Sequence, residues 1–134
     1  MPHRYKIYSE LNFAVSVIEP GIISFDELYN IAFQFRKDKH FSEVHYQLTD
    51  LRGCSFDFDL SKLSEMKQLI EKFKSEDKQK LGVYIVDKPT ETAYVHMFFK
   101  SLGLSRKYCS TTEKAFLLLK LPISLKEFKE KINI

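Results

Sequence analysis

Residues 81–87, LGVYIVD, are almost wholly apolar and end on an aspartate. The run is far shorter than the roughly 20 residues a membrane-crossing helix needs. It also lacks the polar alternation of a strand with one wet face. Such a segment is expected of a central parallel strand covered on both sides. Parallel neighbours cannot be joined by a tight hairpin, so the rest of the chain has to supply crossover segments.

It supplies them in order. RYKIY and NFAVSVI are two β-type runs separated by the polar SELN, which reads as a hairpin, and the second run is apolar enough to be buried on both faces. EPGIIS then breaks the chain. Ser24 and Glu27 form a capping-box signature ahead of a helix whose Phe25, Leu28, Ala32 and Phe35 share one face and which ends near RKDKH. Residues 44–49, VHYQLT, alternate Val44, Tyr46 and Leu48 with polar positions and predict a third strand. LSKLSEMKQLIEKFK follows as an amphipathic helix carrying Leu63, Met66, Ile70 and Phe73. After LGVYIVD, a third helix enters at Pro89 and leaves at Gly103. RKYCS is a short strand, Ser110 and Glu113 cap the helix TEKAFLLLK, Pro122 stops it, and SLKEFKEKINI is a last amphipathic helix capped by Ser124 and Glu127. The order ββαβαβαβα plus a C-terminal helix predicts one α/β domain over 1–134. Its sheet is mixed but mostly parallel, with an antiparallel edge strand and helices on its faces.

Composition narrows the function. The formal charge is only +3 across 134 residues. The lysines stand beside glutamates on helices, a solvated surface rather than the basic stripe of a nucleic-acid binder. No apolar run is long enough to span a membrane, and MPHRYKIYSE lacks the apolar stretch of a signal peptide. Two cysteines, Cys54 and Cys109, are too few for a disulfide framework and predict reduced thiols in a cytoplasm. His3, His40, His45 and His96 are dispersed, with no metal-ligand spacing, so no metal or cofactor is expected. No glycine-rich phosphate loop or nucleophile elbow occurs.

In open α/β sheets ligands meet the loops at the carboxyl ends of the parallel strands. The third strand runs into Asp50, Leu51 and Arg52, and the fourth into Asp87 and Lys88, so these charges are expected on one rim. The plainer expectation is an Asp50–Arg52 ion pair bracing a turn at Gly53. In the FDFD stretch, Phe56 and Phe58 point one way while Asp57 and Asp59 point the other. Asp59 also stands where a helix N-cap belongs.

The element order, the junction LTDLRGCSFDFDLSKL and the closing STTEKAFLLL together resemble the SpoIIAA-like group, which is related to the STAS domain of anti-sigma-factor antagonists. The resemblance covers about residues 4–119 and leaves 120–134 as a helical extension. STAS antagonists carry an Asp-Ser-Ser-Gly-type motif at this helix start and are phosphorylated on the serine after the aspartate, where added charge alters the docking surface. Here the run is Asp59, Leu60, Ser61, Lys62. Leucine holds the phosphoacceptor position and the Ser61 hydroxyl comes one residue late.

The resemblance therefore implies a non-enzymatic regulatory or protein-interaction domain, bacterial and cytoplasmic, without the phosphoserine switch. Its surface would comprise Asp50, Arg52, Asp57, Asp59, Ser61, Asp87 and Lys88, and its partner would be a protein. Related lipid-transfer folds of the CRAL-TRIO kind imply an alternative, a small carrier of an apolar, lipid-like ligand in a cavity lined by Phe98 and Phe99. An enzyme using Asp50, Asp57 or Asp59 with Arg52 ranks last, because no histidine or nucleophile completes the set. The aromatic content is compatible with a homodimer through the edge hairpin or the tail helix.

Overall fold

The computed structural model describes residues 3–102 and 106–134. β1 (His3–Tyr8) and β2 (Phe13–Ile18) make the expected hairpin, antiparallel from His3 opposite Ile18 to Tyr8 opposite Phe13. They are joined by a 3-10 turn at Ser9–Leu11, with Asn12 in the left-handed region at φ 51°. Next come β3 (Gly21–Ser24), α1 (Phe25–Arg36), β4 (Tyr46–Asp50), β5 (Cys54–Asp57), α2 (Leu63–Lys72), β6 (Leu81–Ile85), α3 (Pro89–Leu102), β7 (Arg106–Cys109), α4 (Thr112–Leu119) and α5 (Leu125–Ile132). The expected exit of α3 at Gly103 lies outside the described residues.

The main sheet has the order β1-β2-β4-β6-β7. β2, β4, β6 and β7 are mutually parallel, and β1 is the antiparallel edge. Each crossover moves the chain one strand in the same direction. Crossovers of one hand then lie on one face of the sheet, which places α1, α2 and α3 together. Their side chains join Ile18, Leu51 and Val86 in one core cluster with Ile31, Met66, Ile70, Val95 and Phe98. The opposite face is left to the chain beyond β7. There α4 and α5 cover Phe13, Val15, Leu48, Val83 and Ile85 with Ala115, Leu119 and Phe128. The segment 120–134, read from sequence as an extension, thus supplies much of the second core. Phe128 is fully buried, and Tyr8 Oη donates to the Lys131 carbonyl at 2.7 Å.

Three local expectations need correction. GIIS and CSFD, read as a break and a junction, are β3 and β5, which pair in parallel as a separate ribbon from Gly21 opposite Cys54 to Ser24 opposite Asp57. Runs of four residues have too little periodicity to show this, and only the pairing partner defines them. Val44 precedes β4 and packs with Ala14, Phe35 and Phe41, so it does not share the face of Tyr46 and Leu48. The N-cap of α4 is Thr111, not Ser110, and its hydroxyl accepts from the Lys114 N–H at 3.1 Å. The box at α1 forms as read, with Ser24 Oγ accepting from the Glu27 N–H at 3.2 Å and Glu27 Oε1 accepting from the Ser24 N–H at 3.3 Å.

Candidate functional site

Parallel pairing of β4 with β6 puts Asp50 opposite Ile85, so the loops after both strands open on one rim. There Arg52 wraps back on Asp50 in a two-pronged pair, Nε to Oδ1 at 3.0 Å and Nη2 to Oδ2 at 2.7 Å, while its backbone N–H donates to Oδ1 at 3.1 Å. The Cys54 N–H donates to the Leu51 carbonyl at 3.1 Å and closes the turn, with Gly53 at φ +76°. This is the turn-bracing ion pair the sequence suggested. Asp87 accepts from the Gly53 N–H at 2.9 Å, and Lys88 Nζ donates to Ser55 Oγ at 2.7 Å. Asp50, Arg52, Asp87 and Lys88 are therefore brought together, each already committed to a neighbour. Hydrogen bonding to Asp50 raises the Arg52 pKa further above its usual value.

The other three candidates lie apart. β5 leads away from the rim for about 10 Å at the usual strand rise. Asp57 and Asp59 are exposed at its far end. Asp59 caps the 3-10 turn Leu60–Lys62 that leads into α2, accepting from the Ser61 N–H at 2.9 Å, and this bond lowers its pKa. Phe56 and Phe58 do point one way. They stack with ring centroids 5.1 Å apart and both meet Tyr94. The buried Glu91 accepts from the Phe56 N–H at 2.9 Å, and Tyr94 Oη donates to the Phe58 carbonyl at 3.0 Å. These two contacts fasten the ribbon to α3, and neither Glu91 nor Tyr94 was singled out from the sequence.

Beside the rim, toward α4 and α5, lies an open depression of about 310 Å³ lined by Arg4, Asp50, Arg52, Glu113 and Lys129 among others. Its charges alternate in sign, and it includes neither Asp57–Ser61 nor Asp87–Lys88. Cys54 behind the rim is buried, and burial, with Asp50 and Asp87 adding to it, pushes its thiol up to about 11. At neutral pH it is a protonated thiol and a poor nucleophile. His40 pairs with Glu43 at 2.6 Å and His96 with Tyr108 at 2.9 Å. Among the described residues no three His, Cys, Asp or Glu side chains converge as a metal site would require.

A second concavity lies inside the fold. Between the sheet and α1–α3 is a cavity of about 70 Å³, roofed by apolar side chains such as Ile31, Phe35, Met66 and Phe98. Its floor is polar, because one face of the sheet presents Ser16, Gln47, Thr49 and Tyr84, and Arg36 also lines it. Phe98 lines this cavity as the sequence suggested. Phe99 does not, and instead stands edge-on to Tyr84 with centroids 4.8 Å apart. The floor was legible in principle. Ser16, Gln47 and Thr49 interrupt otherwise apolar strands at alternate positions, and registration sets Ser16 beside Thr49 and Thr49 beside Tyr84. Arg36, at the end of a lysine-rich helix terminus, carried no such signal. No family model, curated protein or solved structure matches the chain.

Proposed function

We propose that this chain is a non-enzymatic, STAS-like interaction domain working in a cytoplasm, and that it meets a protein partner through the rim at Asp50, Arg52, Asp87 and Lys88. The observation that carries this reading is that every one of these charges is held by a neighbour at the rim. Groups so committed make a fixed, sign-patterned surface suited to orienting a partner, and they leave no free base or nucleophile for chemistry. The ribbon end at Asp57, Asp59 and Ser61 lies apart from that rim and would be a second contact point for the same partner, and Leu60 at the phosphoacceptor position leaves it without a phosphate switch. The test is quantitative co-purification with wild type, Arg52→Glu and Asp59→Arg, with circular dichroism confirming each fold. Loss of a partner in Arg52→Glu supports the reading, and equal recovery by all three proteins removes it.

The cavity favours a second reading, a small carrier of an apolar-bodied ligand held between sheet and helices. Native mass spectrometry of protein taken from cells should then show a bound adduct. A single apo mass is the contrary result.

A further inference from the structure

The cavity and the groove next to it contain more positive charge than the described residues neutralise. Arg36 is buried, and its Nε has no hydrogen-bond partner among the described residues. Its Nη1 donates only to the Ala32 carbonyl, at 3.2 Å, and the guanidinium lies over the Phe41 ring. Beyond Ile70, which lines both the cavity and the groove, lies a second guanidinium. The Arg106 side chain is 2% exposed and its Nε is likewise unpartnered among the described residues. Arg106 reaches Asp77 only at 3.9 Å. It also donates to Gln79, which bonds Gln47, which in turn donates to Thr49 Oγ1 at 3.4 Å on the cavity floor. Gly82 makes room for this ladder, since a Cβ there would stand 2.7 Å from Arg106 Nη1.

The charges around Arg36 can be named. Burial lowers its pKa, Tyr84 and Asp77 raise it, and Arg106 lowers it further, so the two guanidiniums feel one another. Glu71 and Lys74 line the outer groove, are exposed and oppose each other in sign. Among the described residues, two buried guanidiniums against the single carboxylate of Asp77 leave one net positive charge. Buried charge of this kind is ordinarily paired and hydrogen-bonded, because desolvating it alone costs several kcal/mol.

From this we infer that the cavity binds a small amphiphilic monocarboxylate, with its carboxylate on Arg36 and its short apolar body under α1–α3. A carboxylate matches the planar donor edge of a guanidinium, and one negative charge matches the local excess. Ser16, Thr49 and Tyr84 add hydroxyls to the floor of the same cavity. Size sets the class. About 70 Å³ accommodates several water-sized positions, at roughly 10–15 Å³ each, which suits a short chain rather than a long-chain lipid. The inference rests on the carrier reading above and narrows it from an apolar ligand to an acid.

The test uses the full chain with acetate, hexanoate, palmitate, hexanol and sodium chloride at matched ionic strength. Thermal shift and the Nε–H resonances of Arg36 and Arg106 are followed together. Hexanoate is expected to raise the melting temperature saturably and to shift the Arg36 resonance, while hexanol and acetate do so weakly. Arg36→Gln should weaken hexanoate binding by at least about tenfold, or 1.4 kcal/mol. Ala32→Leu, which fills the cavity and keeps the charge, should weaken it comparably. Equal effects of hexanoate and sodium chloride would mean general ion binding, and a stronger response to hexanol or palmitate would mean the wrong head or the wrong size. Any of these overturns the inference. If Arg36→Gln does not fold, the wild-type contrast of hexanoate with hexanol decides alone. A neutral adduct in native mass spectra with no hexanoate response removes the acid and leaves the carrier reading. Neither adduct nor response removes both.

Discussion

Gly53 shows how much one residue contributes to the rim. Its φ of +76° lies where side chains are rarely tolerated, and a Cβ there would come within 2.8 Å of Pro20 Cβ. Positive φ and a backbone-adjacent clash act together, so Gly53→Ala should destabilise the fold by about 2 kcal/mol, measured as a shift in the urea midpoint at unchanged slope. Replacing Arg52 by Ala should cost less than about 1 kcal/mol, because the pair it breaks is partly exposed. The turn thus depends on its glycine more than on its charges.

His3 gives a residue-level test of pH. Its Nε2 is buried with no partner among the described residues, and burial, then Arg4, lowers its pKa. In the unfolded chain histidine titrates at about 6.5. As pH falls through that value the unfolded chain takes up a proton that the folded chain refuses. Stability is therefore present above about 6.5 and is lost until pH drops below the lowered folded value. Urea midpoints from about pH 7 to pH 5 should fall for wild type and fall less for His3→Phe. A parallel decline in both proteins would assign the effect to other groups.

At the scale of elements, α5 is the helix whose place in the core the sequence describes least well. Its amphipathic pattern and its Ser124 cap are plain, the cap accepting from the Glu127 N–H at 3.1 Å. That it belongs to the core depends on a face of the sheet left open by three crossovers on the other side. Phe128 meets Phe13 at 6.1 Å and Phe116 at 5.5 Å between ring centroids, and it is fully buried. Phe128→Ala should therefore cost about 3–5 kcal/mol by thermal or urea unfolding, as a core residue would and a tail residue would not. The misplaced cap of α4 has a similarly local cause. Ser110 and Thr111 both offer hydroxyls before TEKAFLLL, and the choice between them is made by where β7 ends at Cys109.

At the scale of the molecule, the sheet and the ribbon should differ in stability. β2, β4 and β6 are paired on both sides and sandwiched between helical layers, whereas among the described residues β3 and β5 pair only with each other. Hydrogen exchange should accordingly be slowest in β2, β4 and β6 and faster by orders of magnitude in the ribbon, followed by mass spectrometry of peptides. Similar protection in both would mean that Glu91 and Tyr94 bind the ribbon into the same cooperative unit as the sheet.

The layered α/β class, the edge hairpin, the helix faces and the sharing of a rim by Asp50, Arg52, Asp87 and Lys88 all stem from local periodicity, capping chemistry and the rule that places loops at strand ends. These are short-range properties that a residue carries with its neighbours. The pairing of GIIS with CSFD, the incorporation of α5 and the association of Arg36 with Arg106 were decided only in three dimensions. Arg36 and Arg106 are far apart in sequence, and each on its own is an ordinary basic residue near a helix end or a strand start. Burial in one place, with Asp77 as the counter-charge they share, is what gives them chemical meaning.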